Sequence, residues 1–320
     1  MKLTSIEMCA GAGGQALGLE AAGFEHEALI EIEPEYSATL RLNRPNWNVC
    51  QGDLSTFDGR PFKGIDLLAG GLPCPPFSVA GKQLGSADER NLFPVALRLV
   101  DEIRPRAIMI ENVRGFLDGV FEDYRIHLKE QLKKLGYVVE WRLLNASEFG
   151  VPQLRPRVVI VALRRSLASY FEWPHALQSN PPTVGETLYD LMAANGWRGA
   201  SSWSKRANDI APTVVGGSKK HGGPDLGPTR SRKAWATLGV NGSTIADEAP
   251  EIEFVGMPRL TVRMVARLQG FPDTWQFSGR KTASYRQVGN AFPPPVAHAI
   301  ASKVVAALNS AASRPLRGAA

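Results

Sequence analysis

The chain has 320 residues, 44% of them hydrophobic and 21% charged, with a formal net charge of +6. That is enough apolar material for one large domain with a smaller second one. The absence of both an eighteen-residue apolar run and a leading signal segment sets the expectation of a soluble, cytoplasmic protein without membrane contact. Three cysteines, Cys9, Cys50 and Cys74, form no C-x-x-C pair. An odd count without metal spacing argues against a disulfide framework or a zinc site, so no metal is expected and a free thiol remains.

The first predicted strand, residues 5–8, runs into Cys9-Ala10-Gly11-Ala12-Gly13-Gly14, and a helix with Leu17 and Leu19 inward follows until Gly23. A second strand over 27–30 ends at Glu31-Ile32-Glu33, and Pro34 opens the next helix in its first turn. A third strand, 47–50, leads to Gly52-Asp53-Leu54, and a fourth covers 65–69. A helix over 91–103 carries Leu92, Ala96, Leu99 and Ile103 on one stripe. The fifth strand, 107–110, ends at Glu111-Asn112-Val113, and a helix over 122–135 follows. Two β-branched runs, 138–144 and 157–163, complete the series. Strands alternating with helices predict a Rossmann-like α/β fold, a mostly parallel sheet covered on both faces.

Residues 171–257 have a different texture, with prolines at 174, 181, 182, 212, 224 and 228 and many Gly and Ser residues. No periodicity is visible there, so a loop-rich second domain is expected. Regular structure resumes near 259, with a helix reaching 268–270, and a last helix over 296–308 presents Val296, Ile300, Val304 and Ala307 on one face. Between Trp203 and Trp235 stand Lys205, Arg206, Lys219, Lys220, Arg230, Arg232 and Lys233 against Asp209 and Asp225, most of the chain's positive excess. That composition suits phosphate tracking, or else an ordinary solvated basic loop.

The stretch Gly70-Gly71-Leu72-Pro73-Cys74-Pro75-Pro76-Phe77-Ser78 leaves the fourth strand as a stiff turn presenting one thiol. Proline fixes φ and donates nothing to a sheet, so the segment must form an ordered loop. A thiol at the carboxyl end of a central strand stands where open α/β sheets place ligands. The glycine-rich turn after the first strand brings backbone amides close to a ligand, and carboxylates recur at strand ends as Glu31, Asp53 and Glu111.

Taken together these segments resemble the cytosine-5 DNA methyltransferase family over nearly the whole chain outside roughly 174–257. The resemblance rests on Glu7-Met8-Cys9-Ala10-Gly11-Ala12-Gly13-Gly14, Gly71-Leu72-Pro73-Cys74-Pro75-Pro76-Phe77-Ser78, Glu111-Asn112-Val113, Gln153-Leu154-Arg155-Pro156-Arg157, residues 259–275, and Arg286-Gln287-Val288-Gly289-Asn290-Ala291, in the family's order. It implies a class I methyltransferase sheet, with 1–173 plus 286–320 as the catalytic and cofactor domain. Residues 174–285 would be the target-recognition domain and hinge.

The chemistry explains these residue types. Carbon 5 of cytosine is a poor nucleophile until a thiolate adds to carbon 6, and the resemblance assigns that addition to Cys74, presented by Pro73. Glu111, beside Asn112, would hold or protonate ring nitrogen 3, a task suited to a carboxyl with a raised pKa. Arg155 is expected to bond the base oxygen at carbon 2, with Arg157 in support, since residues two apart in an extended segment point the same way. Alternatively Glu111 pairs structurally with Arg104 or Arg106. For S-adenosyl-L-methionine the resemblance implies contacts from Ala10, Gly11 and Gly13, with Glu31 on the ribose and Ile32 against adenine. It places Asp53 on the adenine amino group, with Leu54, Leu92, Asn290 and Ala291 completing the pocket. Cys9 stands where the family usually has phenylalanine, and is expected to line the pocket rather than act as a second nucleophile.

A base inside a duplex is unreachable, so the cytosine must rotate out. Residues 79–91 are the expected lid, with Ser78, Lys82 and Arg90 on the DNA. Ala211-Pro212-Thr213-Val214 resembles a threonine-containing family segment, placing Thr213 on a phosphate with Lys219 and Lys220 nearby. The expectation is a monomeric DNA (cytosine-5-)-methyltransferase acting on double-stranded DNA, with a separate restriction endonuclease as a candidate partner. The same chemistry on transfer RNA is the alternative, though that branch usually carries Cys-Phe-Thr after the Pro-Pro pair, where this chain has Phe77-Ser78. A non-catalytic DNA-binding relative and a nicotinamide dehydrogenase are the remaining alternatives.

Overall fold

The computed structural model describes residues 2–73, 91–217 and 223–312. Seven strands form one sheet: β1 (Leu3–Met8), β2 (Phe24–Glu31), β3 (Val49–Gln51), β4 (Leu67–Gly71), β5 (Ala107–Val113), β6 (Tyr137–Asn145) and β7 (Pro156–Arg164). Their order is β3-β2-β1-β4-β5-β7-β6. The first five are parallel, and β7 inserts antiparallel between β5 and β6. The sheet is therefore mostly parallel, as expected, with the reversed strand accommodated on the far side of β5. The chain proceeds outward from β1 through β2 to β3, then restarts beside β1 at β4. That reversal opens a crevice at the carboxyl ends of β1 and β4, where such sheets bind ligands.

Helices cover both faces. On one side α3 (Phe93–Ile103) and α4 (Glu122–Lys134) bury Phe93, Ala96, Leu99, Leu128 and Leu132 against Ile6, Ile108 and Ile160. The α3 stripe recurs at helical spacing, and Pro94 sits in its first turn, where a missing amide costs nothing. On the other side α1 (Gly14–Ala21) and α11 (Pro294–Ala312) cover Leu67, Met109 and Val161, with α5 (Arg165–Ala168) beside them. A Cβ on Gly18 would lie 2.5 Å from Ala297 Cβ, so glycine there lets α1 and α11 touch backbone to side chain. Among the described residues only 281–310 has the length and hydropathy of a membrane span, and most of it is buried in this packing.

The region expected to be loop-rich is a packed unit containing α6 (Val184–Met192), α7 (Ala200–Arg206) and α8 (Thr229–Thr237); α9 (Val262–Leu268), where a helix was expected, and α10 (Lys281–Asn290) follow. Trp197, Trp203 and Trp235 fill its interior. A reciprocal capping box starts α6: the Glu186 carboxylate accepts from the Thr183 amide (2.7 Å) and the Thr183 hydroxyl oxygen from the Glu186 amide (3.2 Å). Its core runs on without a break into Ala16 and Leu17 of α1 and Leu40 of α2 (Pro34–Asn43).

Candidate active site

Register puts two loops side by side. Met8 at the end of β1 lies opposite Gly70 on β4, so the turn beginning at Cys9 and the segment ending at Pro73 leave the sheet together. Cys74, Ser78, Lys82, Arg90, Lys219 and Lys220 lie outside the described residues.

The turn after β1 is built from left-handed positions: Cys9 at φ 52°, Gly11 at 58° and Gly13 at 87°. Two of the three are glycines because a Cβ there clashes with its own backbone. Gly13 is doubly required, since its Cβ would meet Leu40 and Trp275 within 2.9 Å, and Trp275 Nε1 donates to Ala12 O (3.1 Å). A Cβ on Gly11, in contrast, would meet nothing within 4 Å, so open room lies above that peptide. Ala10 is buried, with its amide on Ile30 O (3.0 Å). Cys9, part-buried, has its thiol pKa pushed far upward by burial, then by Glu31, Glu7 and Asp53. It stays protonated, which is what a lining residue requires and a nucleophile does not.

Glu31 fixes this turn. Its Oε2 accepts from the Gly11 amide (2.7 Å) and its Oε1 from the Glu33 amide (2.8 Å). Burial raises its pKa, opposed by those amide bonds. Ile32 beside it is 59% exposed, an apolar shelf at the end of β2. Asp53, exposed after β3, accepts from the Ser55 amide (2.8 Å), and bonds from Ser55 lower its pKa. Leu54 is packed in the core beneath, and Leu92 caps α3. Asn290 Nδ2 donates to Gly217 O (3.2 Å), and the Ala291 carbonyl receives Arg155 Nη2 (3.0 Å). One participant was not foreseen. Glu7, on β1, is fully buried, its Oε2 has no hydrogen-bond partner, and burial followed by Glu31 raises its pKa well above normal. An acidic residue inside an otherwise apolar strand was the available signal.

Glu111 lies opposite Gly71 across β4 and β5, and its Oε2 sits 3.5 Å from where a Gly71 Cβ would stand. It pairs with Arg157 rather than Arg104 or Arg106, which bond Asp101 and Asp66. Arg157 Nε lies 2.7 Å from Glu111 Oε1, with side chains 15% and 8% exposed. The pair follows from register: β7 places Val159 opposite Glu111, so Arg157 is its diagonal neighbour on the same face. Burial raises the Glu111 pKa, and Arg157 and then Arg155 pull it down. Asn112, facing the other way, is fully buried, with Oδ1 on the Val113 amide (2.9 Å) and Nδ2 unpartnered.

Of the two arginines, Arg157 reaches Glu111 and Arg155 does not. Arg155 is completely buried and donates from Nη1 to Val214 O (2.8 Å) and from Nη2 to Gly289 O (2.9 Å) and Ala291 O. Extended-strand parity fails at this position because β7 begins only at Pro156, while the Leu154 amide turns to Ala211 O (2.8 Å). The Thr213 hydroxyl donates to the Leu154 carbonyl.

The sequence profile described as "C-5 cytosine-specific DNA methylase" matches residues 3–306. The Type II methyltransferase M.NgoMIV of Neisseria gonorrhoeae is 57% identical over 311 residues, 96% of this chain and 99% of that protein. The Type II methyltransferase M.NaeI of Lentzea aerocolonigenes is also 57% identical, over 96% of this chain and 76% of its own length. Among solved structures, a prophage-encoded E. coli protein superposes with a TM-score of 0.69 at 25% identity, covering 96% of this chain and 99% of its own.

Proposed function

Because the chain belongs to the C-5 cytosine-specific DNA methylase family and is a type II DNA (cytosine-5-)-methyltransferase, we propose that the β1–β4 crevice holds S-adenosyl-L-methionine and a flipped cytosine together. The observation that carries this is the buried Glu111–Arg157 pair, one strand from the segment that leads into Cys74.

The residues present fit the cofactor. Open room above Gly11, a carboxylate at Glu31, the apolar shelf of Ile32 and the exposed Asp53 align along the ends of β1, β2 and β3. The unpartnered, buried Glu7 carboxyl suits a site that takes a cation. When bound, S-adenosylmethionine supplies an electrophilic methyl group and leaves as neutral S-adenosylhomocysteine. Asn290 and Ala291 close the pocket from the end of α10.

Cys74 adds as thiolate to carbon 6, and Glu111 gives ring nitrogen 3 a proton, so charge does not accumulate on the ring. Arg157 holds the Glu111 carboxyl in place through Nε and, with Nη1 on the Pro156 carbonyl (2.8 Å), offers Nη2 to the base oxygen on carbon 2, the role expected of Arg155. Once carbon 5 carries the methyl group, loss of its proton returns the electron pair that expels Cys74 as thiolate. Residues 174–285 form the target-recognition unit. Arg230, Arg232 and Lys233 on the exposed face of α8 have no ion-pair partner among the described residues and serve as phosphate contacts. A separate endonuclease of the same specificity is the partner this role calls for.

The test is a mechanism-based trap. With 5-fluorocytosine in its duplex site, carbon 5 has no proton to lose, so wild type accumulates a covalent adduct and Cys74→Ser does not. Active protein that forms no adduct would remove the thiolate route.

A further inference from the structure

The Arg155 guanidinium spans two segments that belong to different halves of the site. Its acceptors include Val214 O in the recognition unit and Gly289 O and Ala291 O beside the cofactor pocket. The surrounding polar groups repeat the connection. Gln153 Oε1 accepts from the Val214 amide (2.9 Å), and its Nε2 donates to Gln269 Oε1 (2.6 Å) and Leu268 O (3.2 Å). Gln269 Nε2 donates to Val288 O (2.9 Å) and Ala291 O (3.1 Å). Backbone lies directly on backbone here as well: a Cβ on Gly289 would stand 2.4 Å from the Gly216 nitrogen. Segments 211–217 and 288–291 therefore cannot shift independently without breaking several buried hydrogen bonds.

We propose that Arg155 is a positioning residue that couples DNA binding to cofactor binding, by making the seat of Asn290 and Ala291 depend on where segment 211–217 sits. The inference rests on the assignment of the cofactor pocket and recognition unit made above. An arginine suits this task because its planar fork fixes several carbonyls at once, whereas a lysine ammonium is a single point with a flexible stem. Coupling is reciprocal: whatever DNA does to cofactor affinity, cofactor does to DNA affinity.

The site methylated in cells is first mapped by bisulfite sequencing, and a duplex carrying it is used with S-adenosylhomocysteine as the cofactor probe. Wild type should bind the probe about 5–150-fold more tightly with the duplex than without it, the range of ordinary coupling. In Arg155→Lys that ratio should fall to within about twofold of unity, while probe binding without DNA stays within about threefold of wild type. A purely structural role would lower stability and both affinities and leave the ratio intact, which overturns the proposal, as does a wild type with no DNA-dependent tightening. If Arg155→Lys fails to fold, hydrogen exchange on wild type decides. Duplex alone should slow amide exchange at 288–291, and the probe alone should slow it at 211–217; silence at both overturns the coupling. Absence of any methylated site overturns the functional reading itself and takes this inference with it. A mapped site with an unchanged ratio overturns the coupling alone.

Discussion

Replacing Glu111 by glutamine isolates the proton that the mechanism requires. The amide keeps the side chain's volume, and its oxygen can still accept from Arg157 Nε at the position now 2.7 Å away. What disappears is the acidic proton. General acid catalysis contributes roughly 10²–10⁴-fold, about 3–5 kcal/mol of barrier at ~1.4 kcal/mol per decade. Single-turnover transfer of tritiated methyl at saturating DNA and cofactor should slow by that factor in Glu111→Gln, with S-adenosylhomocysteine affinity unchanged. The stability loss should stay below the ~3–5 kcal/mol typical of a buried charge stripped of its partner, because Arg157 keeps an acceptor. The pH profile adds a sign. Glu111's pKa is raised by burial and restrained by Arg157 and Arg155, so the wild-type rate should fall as pH rises through that value. In Arg157→Met the restraint is reduced and the alkaline limb should move to higher pH. A Glu111→Gln rate within about fivefold of wild type would refute the proton-donor role.

Four further outcomes follow from particular atoms. Gly13→Ala must fit a Cβ 2.8 Å from Leu40 Cδ2 at φ 87°, so urea unfolding should show a loss of about 2–4 kcal/mol. Gly11→Ala, with open space around it, should lose less stability but weaken cofactor binding. Glu7 has a folded pKa raised well above normal by burial. Its contribution is therefore full below the unfolded value near ~4.3 and is lost as pH rises toward the folded value. Cofactor-free Glu7→Gln should accordingly melt higher than wild type at pH 7.5, lose that advantage near pH 4, and bind cofactor more weakly. Replacing Arg230 and Lys233 together by alanine should reduce the slope of log K against log salt by about 2 if each meets one phosphate; an unchanged slope would place α8 away from DNA.

The sheet was legible because each strand is a short apolar run flanked by turn residues, and α3 and α11 because their stripes are long enough to show a period. The direction of β7 was not, since a β-branched run such as 157–163 reads the same either way. The helices between 184 and 237 were hidden for another reason. α6, α7 and α8 span only seven to nine residues each, and their interior is tryptophan set among prolines and glycines. Too few turns exist for periodicity to emerge. The sites of Arg155 and Arg157 differ, Arg155 on backbone carbonyls and Arg157 on Glu111, because two-residue alternation does not extend across the proline where the strand begins. Glu7 escaped notice because its burial is a tertiary property: the same carboxylate on an edge strand would be unremarkable. The glycine turn with its Glu31 anchor, in contrast, depends on local backbone chemistry that composition does reveal.

The central claim is that this chain places methyl groups on carbon 5 of cytosine through Cys74. Duplex DNA incubated with the protein and tritiated S-adenosylmethionine, then hydrolysed to nucleosides, tests it in one chromatogram. The label should run entirely with 5-methyldeoxycytidine, and Cys74→Ser should give none. Label in N4-methyldeoxycytidine or N6-methyldeoxyadenosine, or undiminished transfer by Cys74→Ser, would contradict the account.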